Sequence, residues 1–429
     1  MRAFHDTLVI NRLSCPEGCR ACEEACQKRV GVPVIKPVQL PEVGFFSVVV
    51  CGQCSEPDCM GVCPTGAIFN DLSNGVVQIN PDKCVGCGLC ALACPYSGIF
   101  YDEKNGKSFK CDRCIDEEPR CAKACPYGVL SFKKSRPVIA HFHEEDLLSA
   151  GTGLCAGCPA ELGARVMLKV LGKNVITFRT PGCQPIFMSR LSSIPTLMTN
   201  IASSMTGASR YLRKIGRDDV LCVCYVGDGA TADVGFQPLS GAAARKEHIL
   251  YICSDNEGYM NTGIQGSSTT PQGAWTSTTW VGDKARGKEV EGKYMPLIML
   301  MHGVSYVATA TVAFLEDYVM KLEKAKKAAR SGMAYIHVHS PCPIGWRAPV
   351  ENGIELSRTA VETNYFPLWE AEDGRVRLTH RVDKPRPVEE YSKLMGRFSH
   401  LKKEDVKYLQ ETIDKRFALI ERLASSEPI

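Results

Sequence analysis

Net charge, long apolar runs and a secretory leader are what this 429-residue sequence lacks, and each absence excludes something. Lys and Arg number 51 against 47 Asp and Glu, a net +4, so there is no strongly basic surface of the kind that draws nucleic acid. The most apolar stretch, Met295 to Leu315, is interrupted by His302, Gly303 and Ser305. It reads as a buried strand leading into a helix, and no membrane span is expected. The opening residues carry no signal-peptide pattern, which points to a cytoplasmic, reducing setting in which cysteines hold metal in preference to forming disulfides. The length allows two or three domains.

Cysteine is what the sequence has in excess, 23 in all. Sixteen of these fall in residues 1–132 in four groups of four: Cys15, Cys19, Cys22 and Cys26; Cys51, Cys54, Cys59 and Cys63; Cys84, Cys87, Cys90 and Cys94; Cys111, Cys114, Cys121 and Cys125. The third group reads CxxCxxCxxxCP, and a proline follows the last cysteine of the second, third and fourth. Structural zinc also takes four thiolates, but a repeated three-plus-one spacing closed by proline is the ferredoxin pattern, in which three cysteines of one group and the last of another bind one 4Fe–4S cluster. Sixteen ligands then imply four clusters. Asn74-Gly75 reads as a hairpin turn before a short strand, Val76 to Ile79. This segment resembles the four-cluster iron–sulfur subunits of molybdopterin oxidoreductases and hydrogenases, and the resemblance implies that the first group pairs with the fourth and the second with the third. It departs from them in the three residues between Cys15 and Cys19 and in the short six-residue insert between Cys114 and Cys121.

A linker, 133–152, carries Pro137 and the run HFHEED, where His141 and His143 read as solvated or structural. Beyond it, Cys155 and Cys158 precede a helix that opens at Pro159, spaces Leu162, Val166 and Val170 by four, and stops at Gly172. Its amino end would face the cysteine pair, where the helix dipole favours thiolate charge. The stretch from Leu221 to Thr270 reads as two buried parallel strands, Leu221 to Val226 and His248 to Cys253, separated by a small-residue helix from about Ala232 to Lys246. The strands end at Gly227-Asp228-Gly229 and at Asp255-Asn256-Glu257-Gly258, so polar groups from both meet at the carboxyl edge of the sheet, where open α/β sheets bind ligands. A hard divalent cation takes oxygen ligands and bridges a carboxylate to phosphate; Asp228, the Asn256 side chain and a nearby carbonyl meet that need. A lone GDG is equally well explained as turn glycines beside a surface Asp.

GDG followed about thirty residues later by NExY and NTG is more specific. With those motifs the segment resembles the diphosphate-binding domain of thiamine diphosphate enzymes and, among them, the β subunit of 2-oxoacid:ferredoxin oxidoreductases. The resemblance implies an α/β domain, a parallel sheet with helices on both faces, joined to a small cysteine-rich α+β ferredoxin-like domain. It implies Mg²⁺ held by Asp228, Asn256 and the Gly258 carbonyl, thiamine diphosphate among Gly227, Asp228, Gly229, Asn256, Gly258, Asn261 and Thr262, and Asn261 beside the thiazolium and substrate. It also implies a proximal 4Fe–4S cluster on Cys155, Cys158, Cys183 in TPGCQP and Cys342 in HSPCPIGW, the last two following strands at Val175 to Phe178 and Met333 to His339. Cys222, Cys224 and Cys253 are left over, and read as core thiols.

The implied domains are 1–132 for the four clusters, 153–370 for catalysis and 371–429 for a helical tail with Val406, Leu409, Ile413, Phe417, Ile420 and Leu423 at intervals of three or four. Glu316 to Ser331 reads as a lysine-rich solvated helix, and His337 and His339, on one strand face, as structural. Trp275 and Trp280 could line a pocket or an interface, or simply pack. The implied reaction is oxidative decarboxylation of a 2-oxo acid with coenzyme A. The proximal cluster is the first electron acceptor, and the amino-terminal clusters are a wire to ferredoxin or to a flavin or NAD(P) subunit. The run from NTGIQ through Trp275 is close to pyruvate-type β subunits, whereas QPIF after Cys183 departs from them. The fused relay resembles phenylglyoxylate dehydrogenase, so an aromatic 2-oxo acid is favoured over pyruvate. The glutamate that activates thiamine would come from the pyrimidine-binding domain of an α subunit, with a γ-type subunit also expected, so the chain alone is expected to be inactive. The rival from another class is an electron-transfer polyferredoxin whose second domain binds no thiamine.

Overall fold

The computed structural model describes residues 6–10, 15–16, 18–40, 45–54, 57–71, 76–114, 119–134, 142, 145–183 and 190–428. Asn74-Gly75, His141, His143, Pro137 and the QPIF run lie outside them. The chain divides into two compact units, Met1–Ala140 and His141–Ile429.

The first unit is built from antiparallel strand pairs and short helices, with thiols in place of much of an apolar core. Asp6–Ile10 pairs with Leu130–Lys134, Ile35–Leu40 with Phe45–Val50, Ile68–Asp71 with Val76–Ile79, and Ile99–Asp102 with Lys107–Lys110. Each cysteine group places its third member on a helix: Cys22 on Ala21–Val30, Cys59 on Asp58–Gly61, Cys90 on Leu89–Ala93 and Cys121 on Arg120–Lys123. Those four thiols are buried and divide between two small cores. Cys22 and Cys121 share one with Leu8, Ile35, Val48, Val129 and Leu130; Cys59 and Cys90 share the other with Ile68, Val77 and Ile99.

The second unit is an eight-stranded sheet. Its strands in chain order are β1 (Val175–Arg179), β2 (Ser193–Pro195), β3 (Leu221–Gly227), β4 (Ile249–Asp255), β5 (Tyr306–Thr311), β6 (Met333–His339), β7 (Trp369–Glu372) and β8 (Arg375–Leu378), and they lie side by side as β2-β1-β3-β4-β6-β5-β7-β8. The pairings from β2 to β5 are parallel, and β7 and β8 add an antiparallel hairpin at the edge. Strands β4 and β6 are buried along their whole length, as central strands of a covered parallel sheet must be. The longer helices of the unit are α1 (Pro159–Leu171), α2 (Ile201–Lys214), α3 (Phe236–Ala244), α4 (Met295–Met301), α5 (Leu315–Ala328), α6 (Gly353–Glu362) and α7 (Lys403–Ser425). Cys222, Cys224 and Cys253 sit inside its main core at 1%, 1% and 0% exposure. The tail helix α7 buries Leu409, Ile413 and Ile420 in the two cores of this unit. Among the described residues no helix is long and apolar enough to cross a membrane.

Three local expectations change. Met295 begins a helix, because Pro296 occupies a first-turn position where its missing N–H costs nothing; the strand of that stretch comes later, at Tyr306–Thr311. The element after Asp228 opens as a π-turn, Gly229–Asp233, and the α-helix starts only at Phe236. Helix α5 is not wholly solvated: Lys321 is buried, donating to the Thr309 carbonyl at 2.8 Å and to Thr379 Oγ1 at 2.7 Å.

Candidate functional site

In the first unit the cysteines gather in four sets, each with three members from one group and one from another. Cys63 lines a small cavity with Cys84, Cys87 and Cys90, and Cys26 lines another with Cys111, Cys114 and Cys121. The remaining two sets show in their electrostatics. Burial raises the Cys15 thiol, and the charges of Cys19 and Cys125 add to it. Burial pushes Cys59 up to about 11 against the pull of Lys110, with Cys51, Cys94 and Cys54 contributing. The first group thus meets the fourth and the second meets the third. Four thiols gathered from two chain segments are a donor set that suits a metal, which would take the place of the thiol protons.

In the second unit β3 and β4, adjacent and in register from Cys222↔Ile249 to Gly227↔Ser254, bring Asp228 and Asn256 to one edge. One terminal atom of the Asn256 amide lies 2.7 Å from the Gly258 carbonyl oxygen and 3.1 Å from Asp228 Oδ1. With nitrogen there the amide donates to both; with oxygen there three oxygens converge, an arrangement that a cation resolves. Octahedral Mg²⁺ at its usual bond length places neighbouring ligands about 2.9 Å apart, so the spacing fits. Among the described residues no three His, Cys, Asp or Glu side chains form a single-ion site; one carboxylate, one amide and one carbonyl are a different donor set. Gly229 is needed at the start of the π-turn because a side chain there would strike the Tyr259 ring. Asn261 and Thr262 stand exposed on the following turn, where Thr262 Oγ1 donates to Gln265 Oε1 at 2.6 Å.

Behind the three oxygens lies a buried polar network that the sequence did not announce. Thr269 Oγ1 is 3.0 Å from both Asp228 Oδ2 and Asp255 Oδ1 and carries one proton for the two. Burial, reinforced by the Asp255 charge, lifts the Asp228 carboxyl well above the ordinary range. Asp255 is also buried, but a 2.8 Å contact with His337 Nε2 outweighs burial and holds its carboxyl low. Tyr335 supports the other ring nitrogen of His337 at 2.7 Å. Glu257, at φ 60°, pairs with the buried Arg397, and Tyr365 donates to its Oε1 at 2.7 Å. Sequence alternation on β6 found His337 but not its partner. Nothing in the sequence signals Arg397, which reaches the site from the tail.

Cys155, Cys158, Cys183 and Cys342 come together beside this edge. Burial pushes Cys342 up to about 12, with Cys158, Cys183 and Cys155 adding to it. Cys183 is pushed up to about 11 by burial, then by Cys158, Cys155 and the carboxylate of Asp228, so the thiol set and the oxygen set are electrostatic neighbours. Cys158 caps α1, as the helix-dipole argument requires. Trp275 is half-buried beneath the Arg347 guanidinium, 3.4 Å from its ring centre, and Trp280 is exposed.

Residues 42–135 match the 4Fe-4S dicluster domain family, and residues 157–338 match the C-terminal TPP-binding domain of thiamine pyrophosphate enzymes. The first cysteine group precedes the dicluster match. The NADH-dependent phenylglyoxylate dehydrogenase subunit beta of Aromatoleum evansii is 41% identical over 99% of this chain and 98% of its own length. The pyruvate synthase subunit PorB of Methanothermobacter thermautotrophicus is 46% identical over 63% of this chain and 96% of its own. The ketoisovalerate oxidoreductase subunit VorB of Pyrococcus furiosus is 39% identical over 67% and 94%.

Proposed function

This chain belongs to the β subunits of 2-oxoacid:acceptor oxidoreductases, with a ferredoxin-like iron–sulfur module fused ahead of its thiamine-binding domain, and from that premise we propose that it carries out the oxidative decarboxylation of a 2-oxo acid with coenzyme A to acyl-CoA and CO₂. It does so within a hetero-oligomer whose α subunit supplies the pyrimidine-binding domain, with a γ-type subunit beside it. Phenylglyoxylate or another aromatic 2-oxo acid is the substrate favoured, ahead of pyruvate. The support for this choice is architectural: the phenylglyoxylate dehydrogenase relative shares both modules from end to end, whereas the similarity to the pyruvate synthase relative covers 63% of the chain.

Asp228, Asn256 and the Gly258 carbonyl would hold Mg²⁺, with Gly227, Gly229, Asn261 and Thr262 around the diphosphate and thiazolium. Thiamine diphosphate, when bound, supplies a carbanion for the keto carbon, and iron–sulfur clusters accept electrons singly. The chain's own contribution is positional. Thr269 and His337 fix the two carboxylates, Glu257 and Arg397 hold the turn that presents Asn256, and Cys155, Cys158, Cys183 and Cys342 would keep a cluster at that edge as first acceptor. The four thiol sets of the first unit would carry electrons onward to a flavin or NAD(P) subunit or to ferredoxin.

The observation that carries the proposal is the proximity of thiols and oxygen ligands: β6, which leads into Cys342, runs beside β4 in register to Asp255↔His339, and Trp346 of the Cys342 turn donates to the Asn256 carbonyl at 2.9 Å. The test is an anaerobic dye-reduction assay of the assembled complex on a panel of 2-oxo acids, with and without coenzyme A, alongside thiamine and magnesium released on denaturation. Phenylglyoxylate is expected to turn over fastest and only with coenzyme A. A complex releasing no thiamine would reduce the chain to an electron carrier.

A further inference from the structure

The turn that presents Asn256 and the turn that presents Cys342 are joined by one side chain. Trp346, fully buried, donates its indole N–H to the Asn256 carbonyl at 2.9 Å. Its backbone N–H donates to the Cys342 carbonyl at 2.8 Å, closing the short helix Pro343–Trp346. Within that helix the Gly345 N–H donates to Cys342 Sγ at 3.3 Å. Arg397 lies over the indole, its guanidinium carbon 3.6 Å from the ring centre, and pairs with Glu257, the residue between Asn256 and Gly258. Both Trp346 and Arg397 are about as buried as side chains can be, at 0% and 2% exposure. A guanidinium there is costly unless both its charge and its planar face are used; Glu257 takes the charge and Trp346 the face.

We propose that Trp346 and Arg397 are positioning residues that lock the metal-holding turn to the Cys342 turn, so that loading of the cofactor site is felt by the proximal cluster. Hydrogen bonds to a cluster's sulfur ligands tune its potential. The route runs from Asn256 through the indole to the helix whose Gly345 N–H bonds Cys342 Sγ. This inference rests on the reading of Asn256 as a magnesium ligand and of Cys342 as a cluster ligand.

The test uses the assembled complex, purified anaerobically, with the proximal signal identified as the EPR component missing in C342S. Wild type is titrated with thiamine diphosphate and Mg²⁺, and the affinity, the EPR line shape and the midpoint potential of that component are followed. In Trp346→Phe, which keeps the ring and deletes the N–H, iron content is expected to stay at the wild-type value. The cofactor affinity should fall about tenfold, the scale of a lost outer-shell contact, and the cofactor-induced change in the EPR signal should vanish. Arg397→Lys keeps the charge and loses the flat face; it is expected to weaken the response partially, and it decides the question if the Trp346 variant does not assemble. Wild-type affinity and a wild-type EPR response in either assembled variant overturn the bracket alone. A wild-type complex that takes up no cofactor overturns the bracket together with the site reading beneath it.

Discussion

The two units of this chain solve the problem of an interior in opposite ways. In the second unit one core gathers side chains from seven of the eight strands and from α2, α3 and α4, out to Ile420 of the tail helix. In the first unit the cores are a handful of aliphatic residues, and a buried cysteine from each group stands among them. A small domain without enough apolar surface to bury needs covalent or metal staples, so a buried thiol that is core filler at Cys222, Cys224 and Cys253 of the second unit is part of the framework in the first. Cys224 and Cys121 are both buried. Cys224 is surrounded by sheet residues, whereas Cys121 feels Cys111, Cys114 and Cys26.

The largest expected effect follows directly. Anaerobic removal of iron with a strong chelator should abolish hydrogen-exchange protection across the strands and helices of 6–134 and leave β3, β4 and β6 protected, because metal-binding free energy is folding free energy where the site organises the fold. Equal protection in both units after iron removal would break the contrast. Readout is simplified by composition: all four tryptophans, Trp275, Trp280, Trp346 and Trp369, lie in the second unit, so their fluorescence reports that unit alone.

The same contrast explains what was legible in the sequence. Spacing marked the sixteen cysteines of the first unit as four groups, because short loops are written locally, whereas the pairing of the groups and the set Cys155, Cys158, Cys183 and Cys342 came from resemblance, since those partners are far apart in the chain. The run Leu221 to Val226 declared itself as a strand because a buried parallel strand is continuously apolar, and Met333 to His339 did so although His337 and His339 interrupt it. Met295 to Leu315 did not, since buried helix and buried strand look alike over a short apolar run and only the position of Pro296 separates them. Lys321 was misplaced because periodicity marks a polar face and cannot reveal that Asp317 and Thr379 will be there to receive its charge. The Asp228, Asn256 and Gly258 oxygens were legible as a motif. Their supports, Thr269, His337 and Arg397, come from three separate elements that only the fold brings together.

The proposed metal site sharpens the comparison from the other side, since there function would oppose stability where in the first unit the two would coincide. Asp228 is raised by burial and by Asp255, so Asp228→Asn should remove a buried like-charge conflict. We expect the apoprotein to gain about 1 kcal/mol, read from the tryptophan-monitored denaturation midpoint, while affinity for thiamine diphosphate and Mg²⁺ falls at least about a thousandfold, roughly 4 kcal/mol. A variant that is both destabilised and still loaded would contradict the placement of the metal.

Lys321→Met probes the second unit where its core is polar. The ammonium lies 2.5 Å from Asp317 Oδ2 and 2.8 Å from the Thr309 carbonyl, and burial lowers its pKa. Deleting it strands a carboxylate and a buried carbonyl, which costs about 3 kcal/mol. The loss should appear in tryptophan fluorescence while the iron content and the EPR signals of the first unit stay as in wild type. Co-loss of those signals would mean that the two units unfold as one.

The smallest effect is one of pH. His339 is buried on β6, with Nε2 3.2 Å from the Tyr391 hydroxyl and, among the described residues, no hydrogen-bond partner for Nδ1. Burial drops its pKa from 6.5 to about 3. The folded chain therefore keeps the ring neutral while the unfolded chain takes up a proton below about pH 6.5, so its contribution to stability is full above that pH and declines as pH falls toward 3. The limiting slope for one proton is about 1.4 kcal/mol per pH unit. His339→Gln keeps an amide for Tyr391 and cannot titrate. Its denaturation midpoint, followed by tryptophan fluorescence from pH 8 to pH 5, should start below wild type and converge on it as pH falls. Parallel curves would show that the folded ring takes up its proton at the same pH as the unfolded one, and that the interior around β6 tolerates a charge.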